Sequence, residues 1–189
     1  MSLSKFVIST AATLLISAST LMATTYNVDV SHSSVAFKVR HMMVSNVKGH
    51  FNGFDGSYEL KDGVLKSLKG DVEVATVDTG IEKRDNHLRS ADFFNAGKYP
   101  KMTFVMTRMK GDNVEGKLTL NGITKPVTLE ADISGEVSDP WGNKRSGISL
   151  EGEINRKDFG LTWNKMMEAG GVVVGEEVKI SVELEGIAK

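Results

Sequence analysis

Apolar and polar residues alternate along most of this chain. Val35, Phe37 and Val39 are interleaved with Ala36 and Lys38 and followed by Arg40. The same period of two recurs at Phe54, Gly56, Tyr58 and Leu60, at Gly70, Val72 and Val74, and at Met102, Phe104 and Met106. It continues through Val114, Gly116, Leu118 and Leu120, through Val127, Leu129, Ala131, Ile133 and Val137, and through Ile148, Leu150, Gly152 and Ile154. Val178, Ile180, Val182 and Leu184 close the series. Successive side chains of an extended backbone point to opposite faces, so this pattern specifies half-buried strands. With the short Tyr26–Asp29 segment it predicts eight or nine of them. Asp62-Gly63 and Asn121-Gly122 fall between rows, and such pairs favour two-residue hairpin turns. The expected fold is all-β, an antiparallel meander. Closing it removes exposed edges, and eight strands enclose room for packed side chains or one small ligand.

Composition narrows the function. The formal net charge of −1 argues against a nucleic-acid binder held by a basic field. Cysteine is absent, which excludes disulfides, thiolate metal sites, a catalytic thiol and a lipid-modified cysteine anchor. Hydrophobic residues make up 40% and charged residues 25%, so the chain can bury an ordinary core.

Residues 1–23 read as a secretory leader. Lys5 is their only charge, an apolar stretch runs from Phe6 to Ile16, and small residues lead to Ala23. Leu21 is larger than the residue usually found three places before the cut. Ser and Thr weaken the segment as a retained anchor, and no later stretch approaches membrane length. The expected product is a single soluble domain over 24–189, exported to the periplasm without a stable membrane anchor.

Two stretches break the alternation. Ile81–Asn95 is dense in charge and predicts a short helix near Glu82–Ser90; Thr162–Gly171 predicts a turn of helix or a loop. Arg84, Asp85, His87, Arg89 and Asp92 all fall in the first. They read first as an ion-pair network fixing the helix on a barrel rim. Second, they could clamp a polar head group through charge-assisted hydrogen bonds. His32, His41 and His50 are spaced by nine and include no close pair of the kind zinc sites use, so no metal site is expected. Gly49, Gly53 and Gly56 precede no Lys-Ser or Lys-Thr, so they suit strand bends better than a phosphate loop.

Phenylalanines and methionines supply the interior. Phe37, Val39, Phe51, Phe54, Met102, Phe104, Met106, Leu118, Phe159 and Trp163 are the expected apolar pore positions. They fill either a solid core or the wall of an apolar tunnel, since glycine leaves space and methionine adapts to flexible guests. Gly116, on the row of Leu118, is the expected place to plug such a tunnel.

Several segments together resemble the YceI-like family of polyisoprenoid-binding proteins. They are the run Tyr26–His41, Val47-Lys-Gly49-His-Phe51-Asn-Gly-Phe54-Asp-Gly56, and Arg84-Asp85-Asn-His87-Leu88-Arg89-Ser90-Ala-Asp92-Phe93-Phe94. Tyr99-Pro100, Gly116-Lys-Leu118-Thr-Leu120-Asn-Gly122 and Asn155-Arg156-Lys-Asp158-Phe159-Gly160-Leu161 follow in order. The resemblance implies an extended lipocalin-like barrel with a helical insertion, a periplasmic location and a tendency to dimerise. It implies a long isoprenoid or similar amphiphilic lipid in the pore, with no cofactor and no catalysis. The competing reading is a periplasmic enzyme using His32, His87 and Asp92.

Overall fold

Eleven strands and one α-helix form along the chain in the computed structural model, which describes residues 22–168 and 170–189. The leader expected over 1–23 falls almost wholly outside the described residues. The strands are β1 (Thr24–Val28), β2 (Ser34–His41), β3 (Ser45–Phe51), β4 (Phe54–Lys61), β5 (Val64–Glu73) and β6 (Val77–Asp78). After helix α1 (Glu82–Arg89) come β7 (Lys101–Lys110), β8 (Asn113–Leu120), β9 (Ile123–Ser138), β10 (Lys144–Asn155) and β11 (Val174–Ala188).

Every pairing is antiparallel. β1, β4, β5, β7, β8, β9, β10 and β11 follow one another around the wall, and β1 pairs β11 to close an eight-stranded barrel. The remaining segments extend that wall. A short 3-10 turn, Val30–His32, separates β1 from β2, and both pair β11: Tyr26 opposes Ala188, and Val35 opposes Val182. β3 and β4 oppose β2 and β1 in the same way, and β6 continues β5 past the turn Val74–Thr76 to meet β3. Eleven segments are thus eight long strands, three of them interrupted.

The alternation reading located every strand but β3 and the two-residue β6. In β3 Val47, Gly49 and Phe51 form the inner row, and Gly49 occupies a slot that a large side chain would normally mark. A Cβ at Gly49 would overlap the Phe37 ring, which lies directly across the strand pair. The hydrophobic bulk of this position is supplied by its neighbour.

One end of the barrel is solid. Tyr26 and Tyr58 stack with centroids 5.1 Å apart at 12°, and pack with Leu60, Leu65, Leu68, Val114, Leu129, Ala131, Ile148 and Leu150. Tyr58 donates its hydroxyl to the Ser146 carbonyl at 2.8 Å, and Tyr26 donates to the Glu136 carboxylate at 2.5 Å. Burial, reinforced by that carboxylate, pushes the Tyr26 phenol up to about 12. A buried hydroxyl without a partner would be costly, so each tyrosine fixes its strand as well as filling volume. The β7–β8 register slips between Met106 and Arg108. Beyond the slip Met109 packs on the core while Arg108 reaches Glu115 at 2.7 Å.

Candidate ligand-binding cavity

Above the tyrosine-filled end the interior of the barrel is not filled by side chains. Inner rows of β2, β4, β5 and β7 through β11 surround a cavity of about 200 Å³. Its wall is almost wholly apolar. Gly56 and Gly70, directly paired on β4 and β5, both line it, so the wall is thinnest there. A Cβ on Gly70 would meet only the Asp55 carbonyl, at 3.4 Å, whereas one on Gly56 would fall 2.8 Å from the Lys69 carbonyl.

Seven of the ten expected pore residues line this cavity: Phe37, Val39, Phe51, Phe54, Met102, Phe104 and Leu118. Three do not. Met106 packs on the solid core below, because the inner row of β7 descends past the floor of the cavity. Phe159 is 1% exposed and joins Leu118, Leu120 and Leu161 in a second core cluster behind the wall. Trp163 lies edge-on to His87 at 4.9 Å and tilted against Phe93 at 5.2 Å, so it backs a lining residue instead of lining the space itself. Gly116 is also unsuited as a plug: the Phe104 ring lies over it, and a Cβ would fall 2.9 Å from the Val105 carbonyl.

Helix α1 and the turn after it cover one side. Leu88, Phe93 and Phe94 line the cavity, with Phe94 edge-on to Phe51 at 5.8 Å. The helix is polar apart from Leu88, so packing alone would hold it weakly, and hydrogen bonds pin it instead. Asp85, 5% exposed, accepts the Thr79 amide at 3.0 Å and the Thr79 hydroxyl at 2.5 Å. Arg84 donates to the Thr79 hydroxyl at 2.7 Å and carbonyl at 2.8 Å. Arg89 donates to the carbonyls of Ala75 at 2.7 Å and Val77 at 2.8 Å. His87 pairs with Asp92 at 2.8 Å. The cluster thus joins the helix to the Val74–Thr79 segment.

The three evenly spaced histidines are not brought together. His32 bonds Asp29 at 2.9 Å, His41 ends β2, and His50 faces Asp78 at 3.9 Å. Asp29, His32 and Glu185 do converge. Arg145 already occupies their centre, donating to Asp29 at 2.9 Å, to Glu185 at 2.5 Å and to Asp139 at 2.8 Å. The His32 ring first and the Arg145 guanidinium second hold the Asp29 carboxyl down to about 2. His32 therefore belongs to a different network from His87 and Asp92. Among the described residues no serine or threonine hydroxyl bonds the His87 ring.

Arg156 is the buried cation that the sequence reading passed over. It is 3% exposed, and donates to the Gly175 carbonyl at 2.7 Å, the Val174 carbonyl at 3.3 Å and the Leu161 carbonyl. Its stem helps line the cavity while its head clamps the β10–β11 connection onto β11. Burial pulls its guanidinium below the ordinary arginine range, with Glu176 opposing. Part of the unanticipated wall comes from β10 and β11, including Leu150, Ile154, Ile180 and Val182. Their period-two rows were legible as strands, but period alone does not rank one inner row above another.

The chain matches the model of the YceI-like domain over residues 26–186. It is 40% identical over 186 residues to Protein YceI of Escherichia coli O157:H7, spanning 94% of each chain. A crystal structure of Campylobacter jejuni YceI protein, 33% identical, superposes with a TM-score of 0.69 over 79% of this chain and 90% of that one. A polyisoprenoid binding domain from Saccharophagus degradans shares the fold at 16% identity, with a TM-score of 0.64 over 87% of this chain and 98% of its own. By the domain match and the Escherichia coli relative, this chain belongs to the YceI-like family.

Proposed function

We propose that the chain is a periplasmic carrier that holds a long isoprenoid or a similar amphiphilic lipid in its barrel. The observation that carries this reading is the cavity itself: a nearly all-apolar space inside a closed barrel, with Phe37, Phe51, Phe54 and Phe104 on its wall. Burial of each five-carbon prenyl unit would contribute roughly 3–4 kcal/mol before the entropy of ordering the chain is subtracted. A few units therefore suffice for retention. The fold shared with a polyisoprenoid binding domain supports the ligand class. The leader-like residues 1–23 support export. Binding is favoured over catalysis because, among the described residues, no serine or threonine hydroxyl bonds the His87 ring, and His32 is engaged elsewhere.

The test is to extract the purified exported protein with organic solvent and analyse the extract by mass spectrometry. A long-chain lipid near equimolar amount is expected. An empty extract, together with no uptake of an added prenyl alcohol, would refute the carrier reading.

A further inference from the structure

Three features coincide at the β2–β3 hairpin. Its tip is apolar and open: Met42 is 44% exposed, Met43 57% and Val44 79%, and Met166 beside them is 78% exposed. Its turn is written against backbone preference. Met42 and Met43 have φ of 49° and 61°, in the left-handed region, and Val44 closes the turn on the His41 carbonyl at 3.1 Å. Two other hairpins of the same chain fill such positions with Asp62-Gly63 and Asn121-Gly122, the residues the geometry favours. Here two methionines hold the same geometry, at a cost in backbone strain.

Its outer face is basic. No Asp or Glu occurs between Asp29 and Asp55. Lys38 stands opposite Lys48 on one side and Lys179 on the other, three lysines abreast across β11, β2 and β3. Directly opposed like charges destabilise a sheet. Lys179 has Glu153 at 3.9 Å, but Lys38 and Lys48 have no ion pair among the described residues. Arg40, which braces the tip through the Met43 carbonyl, and Lys165 add further positive charge. The nearby acids are Glu168 in the Met166 loop, Asp78 facing His50, Glu153, and on β11 Glu176, paired with Lys157, and Glu177, both between the partners of His41 and Val39. The hairpin is also continuous with the cavity: Val39 and Val174 line it, and Met42 donates to the Val173 carbonyl at 2.8 Å.

We propose that this hairpin docks the protein on an anionic phospholipid bilayer, with Met42, Met43 and Val44 entering the interface and the lysines meeting lipid phosphates. Lys38 and Lys48 lie about four residues behind the tip, roughly 13 Å along the strand, which places extended lysine heads at phosphate level when the tip is immersed. Apolar insertion backed by basic charge is how peripheral proteins hold such surfaces. The purpose, loading or delivering the lipid, rests on the carrier reading; the docking does not.

Flotation with phosphatidylglycerol-rich vesicles and with phosphatidylcholine vesicles tests it. The exported protein should float with the first and not the second, and high salt should release it. Met42→Asn combined with Met43→Gly suits the turn, so it should melt no lower than the parent while binding the anionic vesicles about tenfold more weakly. Lys38→Gln and Lys48→Gln should each weaken binding roughly fivefold. Equal flotation of parent and variants, or none by the parent, overturns the proposal. So does gel filtration showing a dimer that the Met variant dissolves, since a second copy would then cover the tip. A protein that carries lipid but does not float refutes docking alone. One that floats yet yields an empty extract supports docking and refutes the carrier reading.

Discussion

Gly56 and Gly70 face each other across β4 and β5, and both open onto the cavity. Only one of them can accept a side chain, because a Cβ on Gly70 makes an ordinary contact while one on Gly56 strikes the Lys69 carbonyl. Gly70→Leu is therefore expected to fill the cavity and leave the wall intact. It should melt cooperatively near the parent temperature and copurify with little or no lipid. Gly56→Ala should be destabilised by about 1–3 kcal/mol, the usual cost of overpacking. Calorimetry paired with mass spectrometry of the solvent extract checks both. A Gly70→Leu protein carrying the parental amount of lipid would place the ligand elsewhere.

Asp85→Ala should lower stability without changing which lipid is bound. The substitution strands the Thr79 amide and hydroxyl, both now bonded to the buried carboxylate, and frees α1 from the Val74–Thr79 segment. Loss of a hydrogen-bonded charged acceptor of this kind costs about 2–3 kcal/mol. Urea unfolding measures the loss. Unchanged unfolding with a lost or altered ligand would transfer the cluster to head-group binding.

The Arg145 network sets an acid limit on stability. Arg145 holds the Asp139 carboxyl well below the usual carboxylate range, and His32 and Arg145 hold Asp29 down to about 2. Carboxyls depressed in the folded state contribute stability that is fully present above their unfolded values, about 4. That contribution is lost as pH falls through the folded values. The melting temperature should therefore decline from about pH 4 to pH 2. Arg145→Gln should lower it at neutral pH and flatten that decline. An equally steep decline in the variant would assign the acid sensitivity to other groups.

Much of this architecture could be read from residue order because its signals are local. The inner rows of β7 through β11 carry mostly large apolar side chains at every second place, and Asp62-Gly63 between β4 and β5 and Asn121-Gly122 between β8 and β9 mark turns in the preferred chemistry. β3 escaped because its evidence is non-local: Gly49 is small only because Phe37, twelve residues earlier in the chain, fills its place. Its turn, Met42-Met43, carries residues that do not signal a hairpin. The cavity was half legible. Facing inward follows from period, but the height at which Met106 leaves the cavity for the solid core depends on strand stagger and the β7–β8 slip. Phe159 and Trp163 were misplaced because they sit on irregular segments, where no period assigns a face.

The seam between β1 and β11 joins the two ends of the described chain. Tyr26 opposes Ala188, and the Lys189 amide donates to the Thr25 carbonyl at 3.0 Å. The wall becomes continuous only when β11 pairs with β1. The same adjacency makes the order of the strands cyclic. Linking residue 189 to residue 24 and reopening the chain at the Asp62-Gly63 turn would preserve every strand pairing, producing a circular permutant of the same barrel.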